Sequence, residues 1–96
     1  MKLVKVDVVA KEDIHSLVAS HIVKELNTFS GEYALRLGRF NGVDLKSILG
    51  LVSLAMKAGT HGHMVMKDTK KGIIDVKALL EPYFLFGEIE VLAEEI

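Results

Sequence analysis

Between Lys2 and Val8 the chain alternates, with Val4, Val6 and Val8 on one side and Lys5 and Asp7 on the other. Successive side chains of an extended backbone point to opposite faces, so this period of two predicts a half-buried first strand. From Ser16 to Phe29 the period lengthens: Val18, Ile22, Leu26 and Phe29 recur at helical spacing, with Ala19 and Val23 widening the same stripe. That is the pattern of an amphipathic helix. Asp13 or Ser16 caps its start, because a short side-chain oxygen there accepts an otherwise orphaned backbone N–H. Glu32 to Leu37 alternates again, placing Tyr33, Leu35 and Leu37 on one face. Asn41-Gly42 then suits a turn that needs positive φ, so a short return strand is expected around Phe40 to Asp44.

Ser47 precedes Ile48, Leu51, Val52 and Ala55, a spacing that predicts a short second helix ended by Ala58-Gly59. Leu49 and Leu54 cannot share a narrow inward face with Ile48 and Leu51, so part of this helix shows apolar surface to solvent or to a partner. Beyond Gly59, His63 to Lys67 reads as a strand and Asp75 to Glu81 as a helix stopped at Pro82. The tail carries two patterns. Glu88, Ile89, Glu90 and Val91 alternate like a strand, whereas Leu92 to Ile96 would continue a helix. VDLKSILG at 43–50 is echoed by IDVKALLE at 74–81, but two short segments do not make a repeat architecture.

Composition narrows the function. A chain of 96 residues, half of them apolar, is expected to form a single domain over 1–96. Its formal charge of −1 gives no bulk attraction to nucleic acid or anionic membrane, and Arg36 and Arg39 are too sparse for a nucleic-acid patch. Without cysteine there is no disulfide framework, no thiolate zinc site and no cysteine nucleophile. Lys5 and Asp7 interrupt any signal-peptide core and no long apolar run follows, so a cytoplasmic protein with no membrane partner is expected. His61 and His63 share one side of a strand and each can ligate zinc, yet no cysteine or clear third carboxylate accompanies them, so no metal is expected. Gly59 and Gly62 lack the Lys-Ser/Thr of a phosphate-binding loop.

A strand, then Ile14-His15 opening a helix, a hairpin, and Asp44-Leu45-Lys46-Ser47-Ile48-Leu49-Gly50-Leu51-Val52-Ser53-Leu54 opening a second helix, resembles HPr. This family is the histidine-containing phosphocarrier of the bacterial sugar phosphotransferase system. The resemblance is clear over residues 2–60 and loose over 61–96. It implies an α+β, open-faced β-sandwich: a four-stranded antiparallel sheet with two to three helices on one face. His15 falls at the family's phosphorylated histidine, preceded by Ile14 and followed by Ala19. Ser47 falls at the regulatory serine that HPr kinase phosphorylates. Ile48, Leu49 and Val52 match the apolar patch that docks enzyme I, enzyme IIA components and the catabolite-control regulator of transcription. No cofactor is implied. The family motif Gly-Ile-His-Ala-Arg-Pro-Ala is replaced here by Asp13-Ile14-His15-Ser16-Leu17-Val18-Ala19, which lacks both arginine and proline.

The chemistry divides two readings. A phosphocarrier needs an exposed nucleophile that is partly neutral near pH 7, and histidine meets that need. The N–H groups and positive dipole end of a first helical turn favour a bound anion. Leu17 cannot supply the guanidinium fork that the family places there, while Glu12 and Asp13 add negative charge nearby. Slow or absent phosphorylation of His15 by enzyme I is therefore expected, with Lys11 or Lys57 as candidate replacement cations. The alternative is a non-carrying regulatory or binding paralogue that acts through the Ser47 helix and its apolar patch. For each residue a plainer role exists: Ser47 as a helix cap, one or two of Ile48, Leu49 and Val52 as core, and His15 as an inert loop residue.

Overall fold

The computed structural model describes residues 1–39 and 42–94. Eight elements follow one another: β1 (Lys2–Ala10), α1 (Ser16–Leu26), β2 (Glu32–Arg36), β3 (Val43–Asp44), α2 (Ile48–Ser53), β4 (His61–Asp68), α3 (Lys70–Leu80) and β5 (Phe84–Glu94). The strands form one sheet in the order β3-β2-β4-β1-β5, antiparallel at every described pairing. Register explains the layering. Val4 opposes Met66, Val6 opposes Met64, and the same methionines oppose Tyr33 and Leu35 on β2, so all six share one face and all are buried.

The helices cover that face. Val18, Ala19, Ile22, Val23 and Leu26 of α1 and Ile73, Val76 and Leu80 of α3 are buried against the strand residues in one core. The opposite face stays open and is laced with charge. Across the strands, Glu32 stands opposite Lys67, Lys5 opposite Glu90, and His63 opposite both Asp7 and Arg36. Partial burial and the charges of Lys5 and Arg36 push the His63 imidazole below its ordinary value, against a weaker upward pull from Asp7.

Three sequence expectations change. The sheet has five strands instead of the four that the resemblance implies, because of the two patterns in the tail the strand is the one formed, and β5 adds an edge beside β1. Its alternation is interrupted where the pairing register shifts between Leu3 and Val4 and between Val6 and Val8, which blurs the period of two. α2 stops at Ser53 instead of running to Ala58, because Ala55 takes a left-handed conformation (φ 48) and its N–H donates to the Val52 carbonyl. Of the expected inward series Ile48, Leu51, Val52 and Ala55, only Leu51 is buried. α3 begins at Lys70 rather than Asp75, capped by Thr69, whose side chain accepts the Gly72 N–H at 3.0 Å. Phe40 and Asn41 of the expected turn, and Glu95 and Ile96 of the tail, lie outside the described residues. No described helix is long and apolar enough to cross a membrane.

Candidate functional site

Where β1 ends, the chain folds back over the segment that leads into β4. The Ala10 N–H donates to the Thr60 carbonyl at 3.0 Å, the Gly59 N–H to the Ala10 carbonyl at 2.8 Å, and the Ile14 N–H to the Met56 carbonyl at 2.8 Å. Asp13 completes the seam: its Oδ1 accepts the Ala58 N–H at 2.9 Å. This zipper opens a cleft of about 390 Å³ lined by Asp13, His15, Ser16, Val52, Ala55 and Lys57, among others.

Asp13 is thereby occupied, and it does not cap α1. His15 does: its backbone is extended (φ −88, ψ −177) and its Nδ1 accepts the Leu17 N–H at 3.2 Å. Neither Asp13 nor Ser16 takes the role the sequence suggested, because Asp13 is captured by a backbone group far along the chain. The bond has a chemical consequence. A neutral imidazole that accepts at Nδ1 carries its proton on Nε2, so the nucleophilic lone pair lies on the nitrogen at the helix mouth. His15 is exposed and the first turn of α1 has no acidic residue, so no carboxylate competes there for the free N–H groups.

Charge beside the histidine is split between two residues. Lys57 Nζ stands 3.7 Å from Asp13 Oδ2, both side chains being largely solvated. The Ala58 N–H, more than the charges of Lys57 and His15, holds the Asp13 carboxyl below the usual carboxylate range. Lys11 is exposed, and its backbone N–H is spent on the Tyr83 carbonyl at 2.9 Å; it does not line the cleft.

Beside the cleft, α1 and α2 expose an apolar rim. Leu17 is 60% exposed, Leu49 83%, Ile48 41% and Val52 37%, so none of the three residues assigned to docking is core. Val52 lines the cleft, which makes the rim continuous with His15.

Ser47 lies at the other end of α2. It caps the helix, its Oγ accepting the Gly50 N–H at 3.0 Å, and its own N–H donates to the Asp44 carbonyl at 2.9 Å. A side chain on Gly50 would crowd this contact, since its first carbon would lie 3.1 Å from Ser47 Oγ. Lys46 beside it is committed elsewhere: its Nζ donates to the carbonyls of Phe29 at 2.5 Å and Gly31 at 3.1 Å and sits over the Tyr33 ring. Losing the cap in Ser47→Ala is expected to cost about 1 kcal/mol. For a chain of this size that lowers the melting temperature by roughly 4–8 °C, readable by circular dichroism. An unchanged melting temperature would mean that the cap contributes nothing.

His61 and His63 do lie on one strand, at the start of β4, and His21 is exposed on α1. Among the described residues no three His, Cys, Asp or Glu side chains gather as a metal site. A larger concavity, about 650 Å³, lies on the helix-free side among Leu3, Ala34, Arg36, Val65 and Lys67, and no histidine is among its lining residues. It lacks a nucleophile beside a helix mouth.

A family model described as the PTS HPr component phosphorylation site matches residues 4–79. The match runs past residue 60 through most of α3 and ends before β5. Among solved structures, the chain is similar to HPr-C-His from Thermoanaerobacter tengcongensis, with a TM-score of 0.61 and 25% identity, covering 83% of this chain and 90% of that one. No curated protein matches the sequence significantly.

Proposed function

The chain belongs to the HPr family, the phosphocarrier component of the phosphotransferase system, and from that premise we propose that it carries a phosphoryl group on His15. The observation that supports this most is the placing of His15: exposed, at the mouth of an 11-residue helix, with its Nδ1 already directed at the Leu17 N–H. Attack requires the imidazole to turn off that N–H toward the donor. The Nδ1 lone pair then forms a bond to phosphorus as the bond between phosphorus and the donor's nitrogen breaks, and the donor nitrogen keeps the electron pair. Because Nδ1 bears no proton, no base is needed. The phosphoryl oxygens take over the Leu17 N–H that the imidazole releases, which is favoured at a positive helix end.

Its partners are proteins of the phosphotransferase system, in our reading enzyme I as donor and an enzyme IIA component as acceptor in sugar uptake. Ile48, Leu49 and Val52, joined by Leu17, form the docking rim; their exposure supports this over a core role. Ser47 is the regulatory site. A phosphate there adds about two negative charges beside Ile48 and Leu49. Lys46, already bonded to two carbonyls, is not free to neutralise them. Docking of an apolar partner surface is weakened without any change of fold.

The missing arginine makes the transfer slow. With enzyme I and phosphoenolpyruvate, the wild-type chain is expected to load slowly and Ser47→Ala to load at the same rate, while His15→Ala stays unlabelled. With HPr kinase and ATP the pattern inverts, Ser47→Ala alone remaining unlabelled. A wild-type chain labelled only by the kinase would leave the non-carrying regulatory paralogue as the correct reading.

A further inference from the structure

The first turn of α1 offers a phosphoryl group only neutral donors, its backbone N–H groups and the Ser16 hydroxyl, since Leu17 is apolar and the turn contains no cation. A dianion held by neutral donors alone in an exposed site is weakly bound, because charged donors roughly double the strength of each hydrogen bond. The cleft supplies one permanent cation among its described lining residues, Lys57. We propose that Lys57 is the phosphoryl-binding cation of this site, held ready by Asp13 until the phosphoryl group arrives. This rests on His15 being the phosphoryl acceptor.

The backbone of Lys57 is fixed on both sides. Met56 accepts the Ile14 N–H, Ala58 donates to Asp13 Oδ1, and Lys57 itself bonds Thr60 through both its N–H (3.2 Å) and its carbonyl (3.0 Å). These contacts tie its Cα to the segment that carries His15, 42 residues away in sequence. The side chain is free by contrast, 76% exposed, with its ammonium 3.7 Å from Asp13 Oδ2, too far for a tight hydrogen bond. A rigid base and a loose tip suit a group that must change partners.

Asp13 provides the resting partner. Its carboxylate stays anionic because the Ala58 N–H stabilises the charge, so at neutral pH it offsets Lys57 and keeps the empty cleft near neutrality. When His15 carries a phosphoryl group of about two negative charges, the ammonium is drawn from the single charge of Asp13 to the stronger one. Asp13 keeps its bond to Ala58 and does not move. The cation that the motif around His15 lacks thus comes from the loop after α2.

Phosphoramidate tests this without a protein partner. Its P–N bond breaks as the bond from phosphorus to the imidazole nitrogen forms, and its nitrogen takes up a proton and leaves as ammonia. Loading of each histidine in the full chain is followed by tandem mass spectrometry, with exposed His21 and His61 as controls within the same molecule. In Lys57→Met, loading of His15 is expected to fall about tenfold, the scale of one charge-assisted hydrogen bond. His21 and His61 are expected to load as before. Lys57→Arg should restore His15, and Asp13→Asn, which frees the ammonium, should raise its loading above wild type. Equal loading of His15 in wild type and Lys57→Met overturns the role of Lys57 and leaves His15 as the carrier. No phosphate on wild-type His15 from either phosphoramidate or enzyme I overturns the carrier reading, and this proposal with it.

Discussion

Phe84→Ala is expected to destabilise the fold by about 3–5 kcal/mol, the usual cost of truncating a buried aromatic side chain. Phe84 has no exposed surface and packs edge-on against Phe86, with ring centroids 6.5 Å apart and an interplanar angle of 66°. It is also the anchor of β5. It opposes Ala10, and the neighbouring Tyr83 carbonyl accepts the Lys11 N–H, so the start of β5 is held to the end of β1 at this point. Further along, Ile89, Val91 and Leu92 are 38%, 47% and 47% exposed, so the remainder of the strand contributes much less burial. A domain of ordinary stability, about 5–15 kcal/mol, would lose a large share of it. Urea unfolding followed by circular dichroism measures the loss. Leu85→Ala, removing a side chain that is 57% exposed, is the matched control. If both variants unfold at the same denaturant concentration, β5 is not anchored by Phe84.

Tyr33→Phe is expected to cost about 1–3 kcal/mol, the penalty for leaving a buried acceptor without its donor. The Tyr33 hydroxyl donates to Asp68 Oδ2 at 2.5 Å and accepts the Gly31 N–H at 3.1 Å, while Asp68 Oδ1 accepts the Thr69 N–H at 2.6 Å. Asp68 is 6% exposed. The clasp ties β2 to the junction of β4 and α3. It also explains Gly72, where a first side-chain carbon would lie 2.3 Å from the Asp68 carboxylate.

The same clasp sets an alkaline response. Burial, followed by the bond to Asp68 and its charge, pushes the Tyr33 phenol above its ordinary value near 10. A group whose pKa is raised by folding contributes stability that is fully present below the unfolded value and lost as pH climbs above it. Wild-type stability should therefore fall from about pH 10 upward. Tyr83, also raised, chiefly by burial and then by Glu25 and Glu12, adds to that fall. Tyr33→Phe should flatten the decline without abolishing it. Equal slopes in the two proteins would show that the phenol is not held neutral by the fold.

How far the fold could be read from the chain depended on the range of the forces involved. β1 and α1 were legible because their buried faces are continuous and their periods unbroken, from Val4 to Val8 and from Val18 to Leu26. The end of α2 was not, because Ala55 has no intrinsic preference for positive φ and gives no local sign of the stop. The start of α3 was obscured by Gly72, which is unfavourable in a helix and is required there by Asp68, a residue of the preceding strand. β5 was ambiguous for a different reason. Most of its side chains are exposed on both faces, and its register shifts break the alternation.

The candidate site divides in the same way. The position of His15 at a helix mouth and the apolar excess of α2 follow from local pattern, and both are present in the structure. The capture of Asp13 by Ala58, which transfers the capping role to His15, depends on a contact between residues 45 apart. No local pattern reports such a contact. Lys11 and Lys57 were both candidate cations in the sequence, and only the same seam, which brings Lys57 into the cleft with His15, separates them.

The measurement that bears most directly on the carrier function is site-resolved labelling of the full chain by enzyme I and radiolabelled phosphoenolpyruvate, followed over time and compared with His15→Ala. Label should accumulate on His15 in the wild type and be driven off when excess pyruvate returns it through enzyme I, while His15→Ala stays unlabelled. A folded wild-type chain that takes no label on His15, or whose total label is matched by His15→Ala, would contradict the assignment.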